Sequence, residues 1–123
     1  MGTFFIRSMK RFAYAIQGVA FLVHTQPNAR LHLLATLGVC AAGATLGLER
    51  TEWLWITVAI ALVWSAEAFN TALEQLADAL HPEQHPAVGH AKDVAAGAVL
   101  IAAVGAAVIG VLVFAPHFVP VGD

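Results

Sequence analysis

Three long apolar runs dominate the chain, at roughly 31–48, 53–75 and 94–115. An α-helix needs about 20 such residues to cross the hydrocarbon core of a bilayer, so each run predicts a membrane-spanning helix. The third carries no charge from Val94 to Ala115. At about 1.5 Å rise per residue it extends about 33 Å, slightly more than the core is thick. The first holds His32 as its one strongly polar group, and the second is apolar to Trp64 and then turns polar. The second helix is therefore expected to run out of the membrane.

Residues 4 to 23 have a different pattern. At about 100° per residue, Arg7, Lys10, Arg11, Tyr14 and Gly18 fall on one side and Phe5, Met9, Phe12, Ile16, Val19 and Val23 on the other. That predicts an amphipathic helix lying in the membrane interface. "TQPN" (25–28) breaks it, because Pro27 disfavours a helical Gln26 and suits the first position of the next helix. "LERT" (48–51) reads as a tight turn, and "HPEQHP" (81–86) ends the second span and leads to the third. With no linker, repeat or low-complexity tract, residues 1–123 are expected to form a single domain.

Composition agrees: 59% of residues are hydrophobic and 11% charged, far from the balance of a soluble domain. The net charge of -2 and the lack of a dense basic cluster argue against a nucleic-acid partner. One cysteine, Cys40, cannot make an internal disulfide and reads as a packing residue. The start of the chain has no apolar block ending in a small-residue cleavage site, so no removable signal peptide is expected. Arg7, Lys10, Arg11, Arg30 and Lys92 fall on one side of a three-span layout and Arg50 on the other, which predicts a cytoplasmic amino terminus and 76–93 loop. Small residues at four-residue spacing (Ala98, Ala102, Ala106, Gly110; Gly43, Gly47) suit close helix approach. Three helices enclose little interior, so subunits are expected to pack together. Trp53, Trp55, Phe114 and Phe118 read as interface anchors.

The polar end of the second span carries the chemistry. With Glu67 at zero on a helical wheel, Asn70, Glu74 and Asp78 fall within an arc of about 80°. The apolar run Leu54–Ala66 puts Glu67 near the membrane boundary and the other acids progressively in water. Carboxylates there are costly and repel one another, so the stripe needs cations. Those could be Arg7, Arg30 or Lys92 of neighbouring helices, or a divalent metal. Oxygen ligands suit Mg²⁺, which typically takes one or two carboxylates together with substrate phosphates, and a carboxylate at a dehydrated boundary suits a general base.

Lys92 and Asp93 in "HAKDVAAG" (90–97) could be simply a snorkelling lysine and a helix-start acid. His81, His85 and His90, separated by prolines and without cysteine partners, read as loop histidines and not as a zinc site. No GxxxxGK[ST] loop, Gly-rich dinucleotide turn, HxE or GxSxG motif is present. A different use of the same residues is an ion- or proton-conducting membrane protein with Glu67 and His32 as an intramembrane relay. A relay belongs at mid-membrane, whereas these acids gather at one edge beside basic residues.

"AEAFNTALEQLADAL" followed by "HPEQHPAVGHAKDVAAGAVLIAA", with "KRFAYAIQGVAFLVHTQPNARLHL" before them, resembles the bacterial integral-membrane diacylglycerol kinase and undecaprenol kinase family over nearly the whole chain. The resemblance implies an all-α membrane protein of the inner (cytoplasmic) membrane, with a surface helix and three spans per subunit, assembled as a homotrimer. It further implies ATP and Mg²⁺ at the cytoplasmic edge, and phosphoryl transfer to a lipid hydroxyl. Diacylglycerol, giving phosphatidic acid, is the first reading and undecaprenol the alternative. Carried over by position, Glu67 is the implied base, Asn70 contacts phosphate or orients that base, and Glu74 ligates Mg²⁺. Asp78, Lys92 and Asp93 line the nucleotide pocket, Arg7 and Tyr14 meet the nucleotide from the surface helix, and Arg30 supports the site. Gln26 stands where many family members have a second metal-ligating carboxylate, which leaves one or two metals open.

Overall fold

The computed structural model describes residues 1–120. Its chain is helical almost throughout: α1 (Gly2–Thr25), α2 (Pro27–Leu46), α3 (Arg50–Leu80) and α4 (Pro86–Phe114), closed by a short 3₁₀ turn at Ala115–His117. α2, α3 and α4 are each long and apolar enough to cross a membrane.

Local chemistry moves several boundaries away from the apolar runs. Gln26 is extended (φ −107°, ψ 116°), as the residue before a proline must be, so α2 starts at Pro27, ahead of the apolar run. It stops at Leu46, short of residue 48, because Gly47 is left-handed (φ 70°) and its N–H bonds back to the Gly43 carbonyl at 3.0 Å. The turn expected at "LERT" is therefore Gly47–Glu49, and Arg50 and Thr51 are already helical. Glu49 and Glu52 form a reciprocal capping box at that start, with Glu52 Oε2 accepting from the Glu49 N–H at 2.8 Å. At the other end α3 continues unbroken to Leu80. The change from apolar to polar after Trp64 alters its surroundings, not its backbone. α4 begins at Pro86, well before residue 94, where His85 Nδ1 accepts from the Ala87 N–H at 3.1 Å and proline fits the first helical position.

α3 and α4 form the most extensive contact and run antiparallel: Glu52 near the start of α3 meets His117 beyond α4, while Asp78 near the end of α3 meets Lys92 near the start of α4. The apolar core lies at the Glu52 end, where buried Leu48, Ile56 and Val113 are enclosed by Val39, Trp53, Ile60, Ile109 and Phe114. Trp53 and Phe114 pack against this core, whereas Trp55 and Phe118 are exposed. Gly43 lets α2 approach, since a Cβ there would stand 2.8 Å from both Leu48 Cδ1 and Trp53 Cη2. Gly47, paired with it in the sequence pattern, serves the turn and has no such neighbour. Of the α4 stripe, Ala102 is buried, Ala98 is exposed, and a Cβ on Gly110 would meet nothing. The apolar cluster thus occupies one end of the bundle, while Leu22, Ala29, Glu67 and Thr71 are buried at the polar end.

Candidate functional site: a carboxylate stripe on α3

The periodicity of α3 carries Glu67, Asn70, Glu74 and Asp78 in one line, and the neighbouring helices give each a different environment. Glu67 is 2% exposed. Its Oε2 lies 3.6 Å from His32 Nε2 of α2, just outside hydrogen-bond reach, and has no hydrogen-bond partner among the described residues. Asn70 Oδ1 and Thr71 Oγ1 are likewise buried without a partner. An orphaned buried polar group costs about 1–3 kcal/mol, and more when charged. Three such groups fall within five residues of one helix, a concentration that is unusual in a folded protein.

Glu74 is half-buried and Asp78 exposed. Asp78 pairs with Lys92 of α4, on the rim of a polar cavity of about 550 Å³ that the His81–Pro86 loop also lines. Asp93 is exposed beside that lysine. In the loop, His81 Nδ1 contacts the Glu83 carbonyl at 2.9 Å and His85 serves as the α4 cap. Arg30 turns away from the carboxylates: its Nε donates to the Val23 carbonyl at 3.1 Å and its Nη2 to that of His24, closing the end of α1. Gln26 Nε2 donates to Thr25 Oγ1 at 3.3 Å. Arg7 and Tyr14 are exposed on α1. Further along α1, Ala15, Gly18 and Leu22 face Ala68, Thr71 and Gln75 of α3 across a crevice of about 380 Å³, so α1 lies along the polar stretch of α3.

Among the described residues no three His, Cys, Asp or Glu side chains converge as a metal cage. One turn apart on the same face of α3 stand the Glu74 carboxylate and Asn70, whose amide oxygen is buried without a partner. That donor set suits a hard cation arriving with phosphate ligands of its own, and does not suit a resident zinc.

Two features escaped sequence reading. Thr71 lies at about +40° on the Glu67 wheel, just beyond the edge of the stripe, and a threonine in an apolar helix is unremarkable until its hydroxyl proves buried and unpaired. The second is a lock on His32: Trp64 Nε1–H donates to Thr36 Oγ1 at 3.0 Å, and the Thr36 hydroxyl donates to the His32 carbonyl at 2.7 Å. The indole also meets the imidazole edge to face, with ring centroids 6.5 Å apart.

Comparisons with known proteins identify the family. The model of the family described as prokaryotic diacylglycerol kinase matches residues 13–114. The undecaprenol kinase of Bacillus subtilis is 36% identical over 110 residues, 89% of each chain. A diacylglycerol kinase of Synechocystis is 38% identical over 100 residues, 80% of this chain and 57% of that one. The diacylglycerol kinase of Escherichia coli K12 is 27% identical over 116 residues, 94% of this chain and 95% of that one. With its apolar helices, its carboxylate stripe and a family match that spans most of its length, the chain belongs to the prokaryotic diacylglycerol kinase family, a family of membrane lipid kinases.

Proposed function

We propose that the protein transfers the γ-phosphoryl group of ATP to the primary hydroxyl of a membrane lipid alcohol, with Glu67 as general base. The observation that carries this reading is the Glu67 carboxylate, buried on α3 with one oxygen unpartnered at the head of a stripe that becomes exposed at Asp78. In the reaction the lipid oxygen forms its bond to the γ-phosphorus as the bond from that phosphorus to the ADP oxygen breaks, and the hydroxyl proton passes to Glu67. Such a transfer needs little covalent help from the protein beyond alignment, a base and charge neutralisation.

Glu74 and Asn70 would hold Mg²⁺, which neutralises phosphate charge when bound. Lys92, with Asp78 and Asp93, borders the cavity where the nucleotide would lie, and Arg7 and Tyr14 would reach it from α1. Arg30 supports the site indirectly, by closing α1 against α2. The exposed Phe5, Met9, Phe12 and Ile16 suit a helix resting in the interface of the cytoplasmic membrane with its amino terminus inside the cell. The apolar Phe69, Leu76 and Leu80 are exposed on the polar half of α3, which supports burial against further copies of the chain, a homotrimer by our reading. The buried Glu67 beside His32 also suits a proton relay, but a relay has no use for Asn70, Glu74 and the Asp78–Lys92 pair.

For the acceptor, diacylglycerol is our first reading. The Bacillus undecaprenol kinase, similar over 89% of both chains, makes a polyprenol the reading to set against it. The test is transfer of labelled phosphate from ATP, in detergent micelles, to diacylglycerol and to undecaprenol separately, with and without Mg²⁺. Labelled phosphatidic acid or polyprenyl phosphate decides the acceptor, and no labelled product with either lipid would overturn the kinase assignment.

A further inference from the structure

We infer that His32 is a positioning residue for Glu67: its Nε2, 3.6 Å from Oε2, closes to a hydrogen bond with that oxygen when substrate binds, leaving Oε1 to face the substrate hydroxyl. This rests on the reading of Glu67 as the base. A general base with a freely turning carboxylate loses time in unproductive orientations, and catalytic bases are commonly oriented by a third group. Glu67 needs such a group from outside its own helix; of the cations named as alternatives Arg7 is exposed on α1, and the other two are engaged elsewhere. Arg30 is bound to the Val23 and His24 carbonyls, and Lys92 to Asp78. His32 is the group placed against Oε2, at 3.6 Å, and hydrogen bonds of this kind tighten when substrate is bound.

The rest of His32 is arranged for the task. Its carbonyl accepts from Thr36, whose oxygen accepts from the Trp64 indole, and the same indole meets its ring edge to face. Trp64 is one turn before Glu67 on α3, so the lock ties the turn of α2 bearing the imidazole to the turn of α3 next to the carboxylate. His32 also borders an apolar cavity of about 210 Å³ between α2, α3 and α4, lined by Thr36, Trp64, Ala103 and Gly110 among others. Of the polar groups on that lining, the imidazole is the one that lies beside the Glu67 carboxylate. An apolar residue in its place would leave the carboxylate against hydrocarbon.

The experiment compares His32→Phe, His32→Gln, His32→Ala and Glu67→Gln with the unaltered protein in micellar phosphoryl transfer. Positioning through Nε2 predicts that His32→Phe lowers kcat by about 10- to 100-fold, the scale of misplacing a reacting group by about an ångström, with KM for ATP and lipid within about 2-fold. His32→Gln, which restores an N–H, should recover most of that loss. His32→Ala should regain activity with added imidazole, which the widened cavity admits, and not with a hydrocarbon of the same size. A His32→Phe enzyme with unaltered kcat beside an inactive Glu67→Gln enzyme overturns the inference and leaves Glu67 as base. A fully active Glu67→Gln enzyme overturns the base and this inference with it. If His32→Phe does not fold, His32→Ala with and without imidazole decides: no regain of activity overturns the role of Nε2.

Discussion

His117 Nε2 lies 2.8 Å from Glu52 Oε1, joining residues 65 apart in sequence. Because Glu52 Oε2 also caps the Glu49 N–H, one side chain both starts α3 and fastens the far end of α4 to it. This clasp lies at the packed end of the bundle, beside Trp53 and Val113 and away from the carboxylate stripe.

Removing the clasp should therefore affect stability before catalysis. His117→Ala deletes one contact and Glu52→Ala deletes both, so thermal unfolding in detergent should shift down for each variant and further for Glu52→Ala. The double variant should unfold near Glu52→Ala alone, since the two single losses share a contact. Strictly additive shifts would show that His117 and Glu52 do not act together.

Gly43 should tolerate no side chain. A Cβ would meet Leu48 and Trp53 at 2.8 Å, both in the core, so Gly43→Ala should destabilise by about 1–3 kcal/mol, the usual cost of overpacking. The control is Gly110→Ala, where a Cβ meets nothing. Denaturation midpoints of the two variants that fall together would contradict the close approach of α2.

Glu67→Gln keeps the shape of the side chain and removes the carboxylate proposed as the base. Phosphoryl transfer should fall by about 10²-fold or more, while helical content and elution in detergent stay unchanged. Near-normal turnover would move Glu67 to a structural role.

Activity should be lost in excess chelator and restored by Mg²⁺, because Glu74 and Asn70 offer oxygens and no positive charge to the phosphates. Gln26→Glu should then lower the Mg²⁺ concentration needed for half-maximal transfer at fixed ATP, if Gln26 lies in the metal's shell within the assembled protein. An unchanged value would remove Gln26 from that shell and leave it the local contact it makes with Thr25.

Lys92→Met should weaken ATP binding most. It leaves Asp78 unpaired beside the cavity proposed for the nucleotide, exchanging an attraction for phosphates for a repulsion. KM for ATP should rise by about 10-fold or more, the worth of a charge-assisted contact, while KM for lipid changes little. Equal rises in both constants would point to general disruption.

The sequence by itself determined the helical class, the three apolar spans, the chain breaks near Pro27 and Pro86, and the common line of Glu67, Asn70, Glu74 and Asp78. These are local properties: run length sets whether a helix can span, and a period of about 3.6 residues sets which side chains share a face. Helix ends were legible only to within a turn or more, because Gly47, the Glu49–Glu52 box and the His85 cap act through hydrogen bonds that hydropathy does not register. The tertiary structure alone decided what each face meets. A helical wheel gives the angle of Glu67 on its own helix but not the neighbour at that angle, so the approach of His32, the diversion of Arg30 to carbonyls and the choice of Lys92 by Asp78 appear only when α2 and α4 are in place. The same holds for Trp53, whose packing against the core depends on the room that Gly43 of α2 leaves for it.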